Sequence, residues 1–122
     1  MPPMTPRPVT HFQVLSTNPD RAAEFYRAVF GWTMTSANAM GYRELGTGSL
    51  AGGIWPIQPG SPSMTQLFVE VPDVPAAVAD ATRAGGRTVV PPSVLPDGDE
   101  MAVILDPDGL PFGLVKRRAA RA

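Results

Sequence analysis

His11 is the one histidine in a chain of 122 residues that contains no cysteine. Its imidazole titrates closest to neutrality among unperturbed side chains, so it is the first candidate for a general base or hydrogen-bond donor. The lack of cysteine excludes disulfides, thiolate metal sites and a cysteine nucleophile. Tyr42 and Glu44 stand two apart in an extended run, a spacing that puts both on one strand face, and they are the other candidates for acid–base catalysis. Gln13 shares a face with His11, and Gln66 shares one with Phe68; these four are candidate contacts to a ligand. Trp55, Met101 and Phe112 are candidate apolar walls against which a flat organic molecule can lie. Each has a structural alternative: a hydrogen-bonded wall histidine, a solvated carboxylate, a core aromatic.

Positioning these residues falls to a repeated unit. Residues 10–33 (THFQVLSTNPDRAAEFYRAVFGWT) lie on residues 65–88 (TQLFVEVPDVPAAVADATRAGGRT) without a gap. Each copy has an alternating run, with Phe12 and Val14 opposite His11 and Gln13 in the first. An N-cap follows, Asn18 or Asp73, and then an apolar stripe at helical spacing: Ala22, Phe25, Tyr26, Val29 and Phe30, or Ala77, Val78, Ala81 and Ala84. Glycine ends both, at Gly31 and at Gly85-Gly86. Three short extended runs come after each helix, at 32–36, 41–46 and 50–57, then at 87–91, 101–105 and 111–116. Granting the second half five extra loop residues pairs Leu45 with Leu105, Leu50 with Leu110 and Gly53 with Gly113. Pro91-Pro92 and Pro96-Asp97-Gly98 read as that longer loop, and Asp106-Pro107-Asp108-Gly109 as a tight turn. Both halves therefore read strand, helix, strand, strand, strand, an α+β pattern. Gly46-Thr47-Gly48-Ser49-Leu50-Ala51 has dinucleotide-like spacing, but Gly52-Gly53-Ile54-Trp55-Pro56 cannot form the helix such a site needs, so it reads as a bend.

A chain of this length fits one core. The expected organisation is a loose arm at 1–8, one domain at 9–116 with modules at 9–57 and 65–116, and a basic tail at 117–122. No apolar stretch suits a signal peptide or a membrane span, which points to the cytoplasm and away from a membrane partner. Net charge is −1, yet Lys116, Arg117, Arg118 and Arg121 all lie in the last seven residues; without those four the remainder carries −5. An acidic body argues against nucleic acid as a partner. The tail reads as a solvated end, with a salt-sensitive anion contact as the alternative.

The segments HFQV, NPDRAAEFYRAVFGW and DPDGLPFGLVK, set in a tandem βαβββ pattern, resemble the vicinal oxygen chelate superfamily, which includes glyoxalase I, bleomycin-resistance proteins and extradiol dioxygenases. The likeness is greatest to small single-domain glyoxalase-related proteins whose last strand reads as Phe112-Gly113-Leu114 does here. It implies two βαβββ modules forming a cup-shaped mixed sheet with helices outside, a small organic ligand in the cup, and a homodimer. Metal-dependent members draw ligands from four symmetry-related places. The resemblance puts His11 and Gln66 at two of these, and Gly53 and Gly113 where carboxylates are expected. One imidazole and one amide make a poor donor set for a divalent ion, so no cofactor is expected beyond a weakly bound divalent metal. The function implied is a glyoxalase- or bleomycin-resistance-like protein that sequesters a small molecule or acts as a metal-independent acid–base enzyme of lyase or isomerase type. The alternatives are a metal-dependent lyase, isomerase or dioxygenase, and a non-catalytic accessory protein with a vestigial cup.

Overall fold

The computed structural model describes residues 5–118. Its element order is β1 (Val9–Ser16), α1 (Pro19–Phe30), β2 (Thr33–Met34), β3 (Arg43–Gly46), β4 (Ala51–Pro56), β5 (Met64–Glu70), α2 (Val74–Arg83), β6 (Arg87–Val94), β7 (Glu100–Leu105) and β8 (Pro111–Lys116). This is the α+β pattern of two tandem βαβββ modules. The chain divides into two compact units, one of Thr10–Gln66 and one from Leu67 onward together with the segment before Thr10. No helix among the described residues is long and apolar enough to cross a membrane.

In the first unit the strand order is β2-β3-β4-β1, with β1 parallel to β4 and β3 antiparallel to both β2 and β4. Asn18 starts α1 by accepting a hydrogen bond from the Arg21 N–H at 3.1 Å, and Pro19 needs no donor at that position. Gly31, at φ 68°, ends the helix in the left-handed region that an L side chain avoids. Val14, Ala23, Leu45 and Ile54 form the core between α1 and the sheet, with Phe12, Tyr26 and Trp32 against them. Arg43 of β3 pairs with Asp20 in the first turn of α1 and ties helix to strand. The apolar stripe of α1 is only partly absorbed: Phe25, Val29 and Phe30 stay 55%, 57% and 53% exposed, because Ala22, Ala23 and Tyr26 fill the contact with the sheet.

The second unit repeats the arrangement as β5-β8-β7-β6, with β5 parallel to β8. Asp73 caps α2 by accepting from the Ala76 N–H at 2.9 Å, and Val71, Val74, Ala102 and Leu114 form its core. The Asp106 carboxylate accepts from the Asp108 and Leu110 N–H groups at 2.9 Å each, which closes the turn between β7 and β8. Two expectations change here. Pro91 and Pro92 are not loop residues but lie inside β6, at the outer end of this strand order, where the register against β7 slips between Val90 and Ser93. An outermost strand with a bulge tolerates residues that cannot donate to a ladder. The third strands also pair one residue differently from the expected repeat. Gly53 faces Glu44 and Gly113 faces Val103, so the equivalent of Leu45 is Ile104 rather than Leu105, and that of Tyr42 is Met101.

Candidate functional site

The two faces of the first unit have separate tasks. Phe12 and Val14 point to α1, and strand alternation turns His11 and Gln13 to the opposite face. Parallel register places His11 beside Ala51, Gln13 beside Gly53 and Leu15 beside Trp55, while Glu44 meets Gly53 from β3. Gln13, Gly53 and Glu44 thus make one row. With strands about 4.8 Å apart, Gln13 and Glu44 stand about 10 Å from each other across a residue with no side chain.

Tyr42 fills that gap. A Cβ built on Gly53 would overlap the Tyr42 phenol, so the ring lies directly on the glycine backbone. Its centroid is 4.5 Å from that of Trp55, with the planes inclined by 38°. The backbone before β3 holds it there: the Asn38 carbonyl oxygen of the side chain accepts from the N–H groups of Met40 and Tyr42 at 2.9 and 3.0 Å, and the Asn38 N–H donates to the Tyr42 carbonyl at 2.9 Å. Gly41, at φ 83°, permits the turn. Burial, and next the negative charge of Glu44, push the Tyr42 phenol above its ordinary value, so it is a neutral donor at physiological pH. Asn38 was not among the residues singled out from the sequence, though an asparagine three positions before a glycine is a turn signal.

The remaining candidates sort as follows. His11 is half-buried, with Nδ1 2.9 Å from the Thr10 hydroxyl. Glu44 is exposed, and its backbone N–H donates to the Thr35 hydroxyl at 2.9 Å. His11, Gln13, Tyr42, Glu44 and Trp55 therefore share the face turned away from α1. Gln66 is half-buried on β5, with its amide nitrogen 3.9 Å from the Met64 sulfur. In the second unit Phe68 is buried against the backbone of Gly113, and Val103 and Met101 follow on the same face by register. Phe112 is not with them. It is in register with Leu67 and with Ile104, which packs on the α2 core, so it lies on the helix side; adjacent strand residues cannot both face where Gly113 faces. A cleft of about 420 Å³ beside the first turns of α1, lined by Ser16, Arg21, Phe25 and Tyr26, contains none of the candidates.

The donor set can also be tested against a divalent metal. No group of three or more His, Asp or Glu side chains among the described residues could hold one. The places where the superfamily resemblance expects carboxylates are Gly53 and Gly113, which their registers with Gln13 and Phe68 make equivalent. Both are covered by aromatic rings, Tyr42 over one and Phe68 over the other. Neither position offers a metal-ligating side chain.

Comparison with known proteins gives a consistent picture of the fold. The family described as "Glyoxalase-like domain" matches residues 11–115. "Putative glyoxylase CFP32" from Mycobacterium tuberculosis and from Mycobacterium bovis is 35% identical over 109 residues, which is 85% of this chain and 42% of the relative. The chain thus spans less than half the length of these curated relatives. Among solved structures, the hypothetical protein BH1468 from Bacillus halodurans C-125 superposes with a TM-score of 0.69 at 12% identity, covering 95% of this chain and 98% of the other. Methylmalonyl-CoA epimerase from Mycobacterium tuberculosis superposes with a TM-score of 0.65 at 20% identity, covering 97% and 93%.

Proposed function

Because this chain belongs to the glyoxalase-like domain family, within the vicinal oxygen chelate superfamily, we propose that it binds a small, partly flat organic molecule on the face of β1, β3 and β4 turned away from α1. The observation that carries this reading is the row Gln13–Gly53–Glu44 with the Tyr42 and Trp55 rings laid along it. It offers an apolar floor between polar groups, the composition of a small-molecule site. His11 and Gln13 supply polar contacts from β1, and Tyr42 a protonated hydroxyl whose value burial and the Glu44 charge raise further. In the enzymatic form of the reading, His11 takes a proton from the ligand, and the Tyr42 hydroxyl donates to the oxygen on which charge develops, as in a lyase or isomerase step. In the sequestering form the same contacts hold an intact molecule.

We propose further that this binding needs no tightly held metal ion, a reading supported by the aromatic rings over Gly53 and Gly113. Elemental analysis after dialysis is expected to find far less than one Zn, Ni, Fe or Mn per chain; one ion per chain would overturn it. The binding itself is tested by thermal denaturation with a panel of flat organic compounds. A ligand that binds only the folded state raises the melting temperature by mass action. His11→Ala is expected to remove most of that rise and to leave the unliganded melting temperature within a few degrees. Strong destabilisation of the empty protein with ligand shifts intact would make His11 a core residue and sink the site.

The assembly proposed is a homodimer packed through α1. Phe25, Val29 and Phe30 are too large and too exposed for a helix that only faces water. Glu24 and Arg27 beside the stripe are already paired with each other at 3.4 Å, so an antiparallel crossing of two α1 helices about a two-fold axis would bury the apolar stripe without leaving either charge unpaired.

A further inference from the structure

A second cleft, of about 350 Å³, lies wholly within the other unit, between the segment 5–8 and the ends of β5 and β8. Arg7, Lys116 and Arg117 line it against a single carboxylate, Glu70. That carboxylate is already engaged, since Arg117 donates to both of its oxygens, from Nε at 2.5 Å and from Nη2 at 3.2 Å. Neither Arg7 nor Lys116 forms an ion pair among the described residues, although Glu100 of β7 stands across the ladder from Lys116, so three cations line a small concave space on a chain whose first 115 residues carry −5. Such a concentration of one sign, walled by low-dielectric side chains, focuses field and favours a counter-ion of matching charge.

The walls are stiff. Pro6, Pro8 and Pro72 fix their own backbones, and the Pro8 carbonyl accepts from the Glu70 N–H at 2.9 Å, which moors the segment bearing Arg7 to the end of β5. The backbone that carries Arg7 is therefore fixed beside the end of β5 before any ligand arrives. Arg117 is fixed by Glu70 with one guanidinium nitrogen outside that pair, and Thr5 also lines the cleft. We propose that this cleft is a binding site for a multiply charged small anion of the phosphate class, a phosphomonoester or diphosphate group, taken between Arg7 and Lys116. The pairing is chemical: guanidinium forks and ammonium groups are the side chains that grip phosphate oxygens, and the volume admits a phosphorylated small molecule rather than a polymer. The site shares no residue with the Tyr42 face, and neither proposal depends on the other.

Inorganic pyrophosphate is the probe. Titration of the full chain at low salt, followed by amide NMR, is expected to give saturable shifts centred on Arg7, Glu70 and Lys116, weakening as sodium chloride approaches physiological strength. The double variant Arg7→Ala, Lys116→Ala changes two exposed side chains and should fold normally. It is expected to bind at least tenfold more weakly, while Arg118→Ala, outside the cleft, keeps the affinity. Adenosine 3′,5′-bisphosphate run in parallel separates the sources, since tighter binding than pyrophosphate identifies a nucleotide group and equal binding a bare phosphate. Unsaturable shifts, shifts spread over the surface, or equal affinity in the double variant would overturn the proposal. So would sedimentation with phosphatidylserine vesicles in the absence of any saturable pyrophosphate response.

Discussion

Gly53 and Gly113 are where residue chemistry departs most from the superfamily pattern. Each is a glycine because a ring occupies its side-chain space, and neither has a positive φ that would require one. Gly53→Ala is therefore expected to lower stability by about 1–3 kcal/mol, the usual cost of overpacking. Adding Tyr42→Ala should recover part of that loss, since the two changes share one space and so are not additive. Urea denaturation of the two single variants and the double variant reads the coupling, and simple additivity would mean that Tyr42 does not lie on Gly53. The same reasoning denies a metal site to Gly113→Glu, because Phe68 would have to leave first. Tyr42 also carries a pH prediction. Its folded-state value is raised above 10.0, so the native protein holds this proton where the unfolded chain has lost it. Stability from this group is intact below pH 10 and falls as pH rises towards the folded value. Ultraviolet titration of the phenol against Tyr42→Phe should show a late-titrating tyrosine, and an ordinary midpoint would remove the claim that its surroundings raise its value.

Among the elements, the turn before β3 matters more for the site than its length suggests. Asn38 accepts two backbone N–H bonds there, and each such bond contributes about 0.5–1.5 kcal/mol net. Asn38→Ala should therefore cost about 1–3 kcal/mol by the same bookkeeping and reduce ligand-induced stabilisation, because Tyr42 loses its fixed backbone. Unchanged stability would show that the turn holds without its side chain. At the other module, the ladder end between β5 and β8 is fastened by Glu70 and Arg117. The hydrogen bond from Arg117 holds the Glu70 carboxyl below its ordinary value. Its share of stability is present above pH 4.5 and disappears as pH falls towards the folded value. Arg117 is half exposed and Glu70 partly so, which lets solvent screen the pair, so the share is small and Glu70→Gln should flatten the acid limb only slightly.

For the whole molecule, the prediction concerns association. Sedimentation at micromolar concentration is expected to give a dimer, and Phe25→Glu a monomer with its melting temperature little changed, since Phe25 is more than half exposed in the chain alone. A wild-type monomer would retire the α1 interface. Charge is also uneven at this scale. Anion binding in the basic cleft at the ends of β5 and β8 should weaken with salt, and binding over the Tyr42 and Trp55 rings should respond less.

Much of this was local enough to be legible in the sequence. The order of ten elements followed from alternation, from Asn18 and Asp73 as caps and from Gly31 as a stop, because each signal acts over a few residues and needs no partner from elsewhere in the chain. The opposition of His11 and Gln13 to Phe12 and Val14 followed from the two-residue period, and the same period argued against placing Phe112 beside Gly113. Register and occupancy were decided only in three dimensions. The repeat aligns Gly53 with Gly113, but not Leu45 with Leu105, because the extra residue is absorbed between β7 and β8. Nor does any local pattern say that Pro91 and Pro92 would be carried by an outermost strand. The rings of Tyr42 and Phe68 stand on glycines 11 and 45 positions away in the chain. Those contacts exist only once β3 has paired with β4 and β5 with β8, and pairing of that kind is set by loop lengths and core packing together rather than by either residue's neighbours.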